Sequence, residues 1–388
     1  MRKNFLPFLA FLLLAANLRP ALTAVGPLVG SIQKATGLSG TSVGLLNSLP
    51  LLAFAAFAPL ARFGRRVGLE RTVAIAMFML LVGVLLRSGG TTWALFAGTI
   101  VLGAGIAVGN VLAPTIIKRD YPERVGSLTT VYALVLALTA AIGTGLAVPF
   151  ERSLPGGWQG ALAIWAVPAV PAVAMWAYAS LRPNDPAPPI EESATANVWR
   201  SPLAWCVTAF MGLQSLCFYV VVAWFPSVIQ DSGYDPAVAG LLVTEFQLVS
   251  LVAGAALPQL LALRQDQRAL AVFVSLVIFV GIVGLLLHPE WMVFWVGLSG
   301  FGCGVSFPLA LAFIGLRSSD HHQAASLSLM SQSMGYLIAA FGPLLFGLAH
   351  DLSGGWMIPL VGLAACALVQ AIVGYKGGQN RTVSVARA

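Results

Sequence analysis

An arginine stands next to a proline near the middle of the first long apolar run, in NLRPALTAVGP, residues 17 to 27. A guanidinium at such a depth in a bilayer costs about 2.5–3.5 kcal/mol on insertion scales, so Arg19 must face the protein interior. Pro20 has no N–H, which frees the carbonyl of Ala16, and it biases Arg19 away from α geometry. The pair predicts a kink or break at 19–20, with Pro20 opening a second half-helix. The first amides of that half-helix, together with a guanidinium, make an anion site. Asn17 is placed to satisfy freed backbone. Thr23, one turn on, shares the Arg19 face and offers one more donor. The alternative reading is structural, with Arg19 paired permanently to an acid. Glu245 is the one carboxylate deep within any apolar run. It lies ~6 Å to the outer side of its helix midpoint at 1.5 Å per residue. Its second role would be to carry a proton.

Further polar side chains at mid-run depth are Asn47, Asn110, Tyr132, Gln214, Gln332 and Tyr336. Gln332 and Tyr336 are one turn apart on one face. Each of these is a candidate solute contact or, equally, an interhelical hydrogen bond worth about 0.6 kcal/mol. Gln247 points away from Glu245 and reads as packing. Phe218 and Phe307 read as packing too, and Trp224 reads as an interfacial belt anchor. No G-x-x-x-x-G-K-[ST] occurs, so no ATP-driven step is expected from this chain alone. Gly103, Gly105 and Gly109 miss the dinucleotide pattern by one residue and read as close helix packing. Cys206, Cys217, Cys303 and Cys366 have no ligand spacing. His321 and His322 have no zinc partners, and His350 with Asp351 reads as a solvated helix end. No catalytic residue, metal or cofactor is expected.

These residues need long helices to hold them. Of 388 residues, 58% are hydrophobic and 9% charged, against about 25% charged in soluble domains. Runs long enough to cross a ~30 Å core recur throughout. They predict an all-α polytopic membrane protein with twelve transmembrane helices at 5–30, 41–61, 72–89, 92–117, 128–150, 159–181, 202–226, 237–262, 269–288, 291–315, 325–349 and 356–375. The opening MRKNFLPFLAFLLLAA has the look of a signal peptide but is read as an uncleaved first span. A proline- and acid-rich stretch separates two bundles, giving an N-terminal bundle 1–181, a cytoplasmic linker 182–201 and a C-terminal bundle 202–388. With both termini in the cytoplasm, 17 of the 21 Lys and Arg fall on the inner side, and the outer loops hold Lys34, Arg87 and Arg152. That bias sets the topology and accounts for the +7 net charge through anionic lipid contacts. Nucleic acid is excluded as a partner because no soluble basic face exists.

The halves match each other. GAGIAVGNVLAPTIIKR from Gly103 aligns with GFGCGVSFPLALAFIGLR from Gly300, AAIG at 140–143 with AAFG at 339–342, and GGW at 156–158 with GGW at 354–356. The offsets are 197, 199 and 198 residues. Two six-helix halves in parallel, pseudo-symmetric repeat are the arrangement of the major facilitator superfamily (MFS fold), whose solute site lies between the halves.

NLRPALTAVGPLVGSI, GIAVGNVLAPTIIKRDYPE, WRSPLAW and VVAWFPSVI resemble the cyanate and 2-nitroimidazole transporters of that superfamily along the whole chain, the 2-nitroimidazole branch more closely. The loop APLARFGRRVG departs from the superfamily's G-x-L-A-D-R-x-G-R-R, because Arg62 or Phe63 stands where the Asp belongs. The resemblance implies transport of a small planar solute; with Arg19 holding a negative charge, the expectation is a secondary transporter that moves a small planar anion or weakly acidic heterocycle across a bacterial inner membrane, as a monomer, by alternating access. The alternative within the class is a proton-coupled exporter of a neutral nitroimidazole-like drug. A membrane enzyme would want clustered acids or histidines at one face, which the loops lack. A receptor without transport is the remaining class.

Overall fold

The computed structural model describes residues 5–57, 67–181, 198–262 and 265–383. The Arg62–Arg66 loop, most of the 182–201 linker, and Arg2, Lys3, Arg264 and Arg387 lie outside them. All regular structure among the described residues is helical. Among the described residues twelve helices are long and apolar enough to cross a membrane: helices 1 to 12 are Leu6–Thr36, Gly40–Phe57, Leu69–Arg87, Thr92–Asp120, Pro122–Ser153, Trp158–Ser180, Pro202–Asp231, Pro236–Ala262, Arg268–Leu287, Pro289–Leu316, His322–Ser353 and Met357–Gly377. Their starts follow local chemistry. Thr91 accepts from the Ala94 amide ahead of helix 4, and Asp235 accepts from Ala237 with Pro236 at the first helical position of helix 8.

Residue contacts group the chain into two units, Met1–Leu38 with Leu49–Ile190, and Ser39–Ser48 with Glu191–Ala388. Helix 2 therefore divides after Ser48.

Within each unit the aligned glycines do the same work. A Cβ on Gly105 would lie 2.5 Å from the Ala76 carbonyl of helix 3, and one on Gly302 would lie 2.6 Å from Ile278 of helix 9. Gly103 meets Pro50 of helix 2 at 3.1 Å, and Gly300 meets the Phe246 carbonyl of helix 8 at 2.6 Å. The near-dinucleotide pattern is thus a backbone-approach device.

Two residues depart from the sequence reading, and a third, Arg317, counted among the inner-side basic residues, is only 1% exposed. Its Nε and Nη2 donate to the Gly377 and Gly378 carbonyls, each at 3.0 Å, closing the end of helix 12 with a cation. Arg87 is likewise 1% exposed, not in an outer loop. It ends helix 3, and its guanidinium turns inward. Trp224 is buried rather than interfacial, because its Nε1 donates to the Pro343 carbonyl at 2.9 Å and its ring packs on Phe346 and Trp356.

Candidate functional site

Helix 1 is interrupted where Arg19 and Pro20 predict it. The first α segment ends at Asn17, and Arg19 adopts φ −122°, ψ −44°, outside α geometry, with Pro20 at the first position of the next turn. Helix 5 accommodates the break with Gly143, where a Cβ would lie 2.5 Å from Thr23 Oγ1 and 2.8 Å from Pro20 Cα. Gly109 of helix 4 does the same for Leu18, at 2.7 Å.

The expected half-helix is not there. The segment after the break, Pro20–Thr23, is one turn long, followed by a tight turn at Gly26–Leu28 and a new α segment from Val29. Pro27 has no N–H to offer the Thr23 carbonyl, which favours the turn without forcing it, since helices 2, 4, 5, 7, 10 and 11 all run through an interior proline. The amides of Leu22 and Thr23 both donate to the Arg19 carbonyl, at 2.9 and 3.2 Å. A bank of free helix amides is therefore absent at the break, which leaves the Arg19 side chain as its charged donor.

Asn17 and Thr23 fasten the break to its neighbours. Asn17 Nδ2 donates to the Leu13 carbonyl at 2.8 Å and to the Pro168 carbonyl of helix 6 at 3.0 Å. It does not meet the Ala16 carbonyl assigned to it from sequence. Thr23 Oγ1 donates to the Ala140 carbonyl of helix 5 at 2.8 Å.

Arg19 is half-buried and close enough to act electrostatically on the Tyr132 hydroxyl of helix 5. That hydroxyl donates to Asn110 Oδ1 of helix 4 at 3.0 Å. The Phe11 ring lies 6.0 Å from the Tyr132 ring, tilted by 39°. A cation, a phenol, a primary amide and an aromatic face thus collect in the first unit. Arg19, Tyr132 and Asn110, separate in the sequence reading, are brought together.

The second unit holds the other candidates. Asn47 is half-buried and donates to the Val43 carbonyl at 3.1 Å. Gln214 is buried and donates to Ser215 Oγ at 2.6 Å and to the Met211 carbonyl at 3.1 Å. Gln332 is exposed and donates to Ser328 Oγ at 2.9 Å, with Tyr336 half-buried one turn on. Glu245 is half-buried in a groove of helices 8 and 10 that Trp291, Phe294, Gly297 and Phe301 also line, with Glu290 at its helix-10 start. Gly297 makes its room, since a Cβ there would lie 2.9 Å from Glu245 Oε1. No cation forms an ion pair with Glu245 among the described residues.

Residues 9–343 match the Major Facilitator Superfamily. The chain is 42% identical over 386 residues to the 2-nitroimidazole transporter of Escherichia coli (strain K12), covering 98% of each. It is 28% identical over 364 residues to the cyanate transport protein CynX of the same organism, covering 93% of this chain and 94% of that one. The fold is that of the crystal structure of a D-xylose-proton symporter, with a TM-score of 0.78 at 13% identity over 97% of this chain and 99% of that one. The chain belongs to the major facilitator superfamily, to its family of 2-nitroimidazole and cyanate transporters.

Proposed function

We propose that this transporter moves a small planar anion or weakly acidic heterocycle by alternating access, as a monomer in a bacterial inner membrane with both termini cytoplasmic. Arg19 holds the solute's negative charge. The observation that carries the reading is the Arg19 guanidinium, held at the interruption of helix 1 beside the bonded Tyr132–Asn110 pair. A planar fork suits a delocalised anion better than an ammonium does, and Phe11 and Tyr132 offer flat surfaces to a ring. Within the second unit Gln332 and Tyr336 are further candidate polar contacts, whereas Asn47 and Gln214 already donate to the Val43 and Met211 carbonyls. Asn17 and Thr23 support the geometry, because their donors are already engaged by backbone carbonyls.

A second reading, proton-coupled export of a neutral nitroimidazole-like drug, draws on Glu245 as a carboxyl inside a span with, among the described residues, no ion-paired cation. Cyanate and 2-nitroimidazole flux into proteoliposomes tests both. The parent moves one or both, Arg19→Ala loses the anion while keeping its fold, and Tyr132→Phe weakens binding several-fold. Anion flux at the parent rate in folded Arg19→Ala sinks the anion reading.

A further inference from the structure

Arg87 is buried at the end of helix 3, and its Nη1 donates to the Ala21 carbonyl of helix 1 at 2.6 Å. In a continuous helix that carbonyl would accept from the Val25 amide. Here the Val25 amide turns to the Leu22 carbonyl at 3.5 Å, which leaves Ala21 for the guanidinium. Arg87 Nε and Nη2 are buried without a hydrogen-bond partner, and no carboxylate pairs with Arg87 among the described residues. A buried, uncompensated charge is costly and acts over distance because little water screens it. Its contact lies two residues from Arg19.

We propose that Arg87 is a positioning residue for the anion site. It fixes the interrupted segment of helix 1 through Ala21 and sets a second positive charge behind Arg19, so that an anionic solute is favoured over a neutral one of similar shape. Arg87 does not touch the solute. This inference rests on the anion reading above.

The test is affinity for cyanate and for 1-methyl-2-nitroimidazole, which has no ring N–H to lose, measured on purified parent, Arg87→Lys and Arg87→Gln. Lys keeps the charge and most of the reach, and Gln keeps a donor without the charge. Cyanate affinity should stay within about threefold in Arg87→Lys and fall at least tenfold in Arg87→Gln. Affinity for the neutral probe should change less than threefold in both. Parental cyanate affinity in Arg87→Gln overturns the proposal, and so does an equal loss for both probes, which marks a merely structural arginine. Should Arg87→Gln not fold, a tenfold loss of cyanate affinity in Arg87→Lys overturns it and parental affinity there supports it. A parent that binds no anion refutes the anion reading and this inference with it. A parent that binds cyanate, with Arg87→Gln binding it equally well, refutes this inference alone.

Discussion

The carboxylate of Asp351, near the end of helix 11, closes the first turn of helix 2 through Thr41. Asp351 Oδ2 accepts from the Thr41 amide and from Thr41 Oγ1, both at 2.7 Å, and Oδ1 accepts from the Gly40 amide at 2.9 Å. The approach is close because the helix faces are bare. A Cβ on Gly44 would lie 2.4 Å from the Pro343 carbonyl, and one on Gly347 would lie 2.3 Å from the Gly40 carbonyl. A side chain from a distant helix here does what a local N-cap does elsewhere, satisfying orphan amides and setting an anion at the positive end of a helix.

Asp351→Ala is therefore expected to destabilise the protein by about 1 kcal/mol, within the range for a lost cap. Asp351→Asn keeps a carbonyl oxygen for one amide and should lose less. Melting temperature in one detergent at fixed pH reads both. An Ala variant as stable as the parent would show that solvent satisfies these amides equally well.

Pro20 can be tested by restoring what it lacks. Pro20→Ala returns an N–H and removes the constraint on Arg19. The turn at Gly26–Leu28 is untouched, so the change is local to residues 16–20. The expected outcome is solute affinity several-fold below the parent with Arg19 still present. Arg19→Lys should also bind weakly, through loss of the planar fork. If both variants bind as the parent does, the geometry of the break is not part of recognition.

Much of the fold is legible because each span is a long apolar run, and the repeat is legible because Gly105 and Gly302 face the same packing problem in their own units. The break at Arg19 was readable from one dipeptide. Its short length was not, since Pro27 lacks an N–H for the Thr23 carbonyl but so do Pro50, Pro114 and Pro226 for their own carbonyls four residues back, and helices 2, 4 and 7 continue through them. Arg87 was not readable. A basic residue at the end of an apolar run looks like a loop residue, and only the tertiary position of the Ala21 carbonyl draws it inward. Asp351 and Gly40 lie 311 residues apart, and no local pattern links them. The Tyr132–Asn110 bond has the same character, since two mid-span polar residues on neighbouring helices give no sign of which partner each takes.

Asp320 gives a pH-dependent expectation. It precedes helix 11 and accepts from the Gln323 amide at 2.8 Å and from Ser319 Oγ at 2.9 Å. The amide bond, then the Ser319 bond, hold its carboxyl below the usual aspartate range. With the folded value depressed, the contribution to stability is present above the unfolded value of about 3.9 and is lost as pH falls through the folded value. Asp320→Asn keeps a capping oxygen but cannot titrate. The difference in melting temperature between parent and variant should hold steady from pH 7 to about pH 5 and then drift toward the uncharged cap as the carboxyl protonates below about pH 4. A difference that is flat through pH 3 would show that this carboxyl does not titrate with folding.

Glu245 decides between the two modes of transport. Its carboxyl sits in a groove with apolar neighbours and, among the described residues, no ion-paired cation. A carboxyl inside a span without a counter-charge is costly when ionised, so protonation and release there can be linked to a change of conformation. Glutamine keeps the size and some of the hydrogen bonding but cannot release a proton. If Glu245 couples transport to protons, Glu245→Gln should bind solute with affinity within about threefold of the parent. Counterflow without a gradient should continue, and the response of flux to an imposed pH gradient should disappear. If Glu245 is only a packing residue, pH-driven flux in the variant should match the parent. If the parent shows no response to a pH gradient, coupling is absent and Glu245→Gln should leave transport unchanged. The three results are exclusive, and counterflow together with gradient-driven flux on the same two proteins separates them.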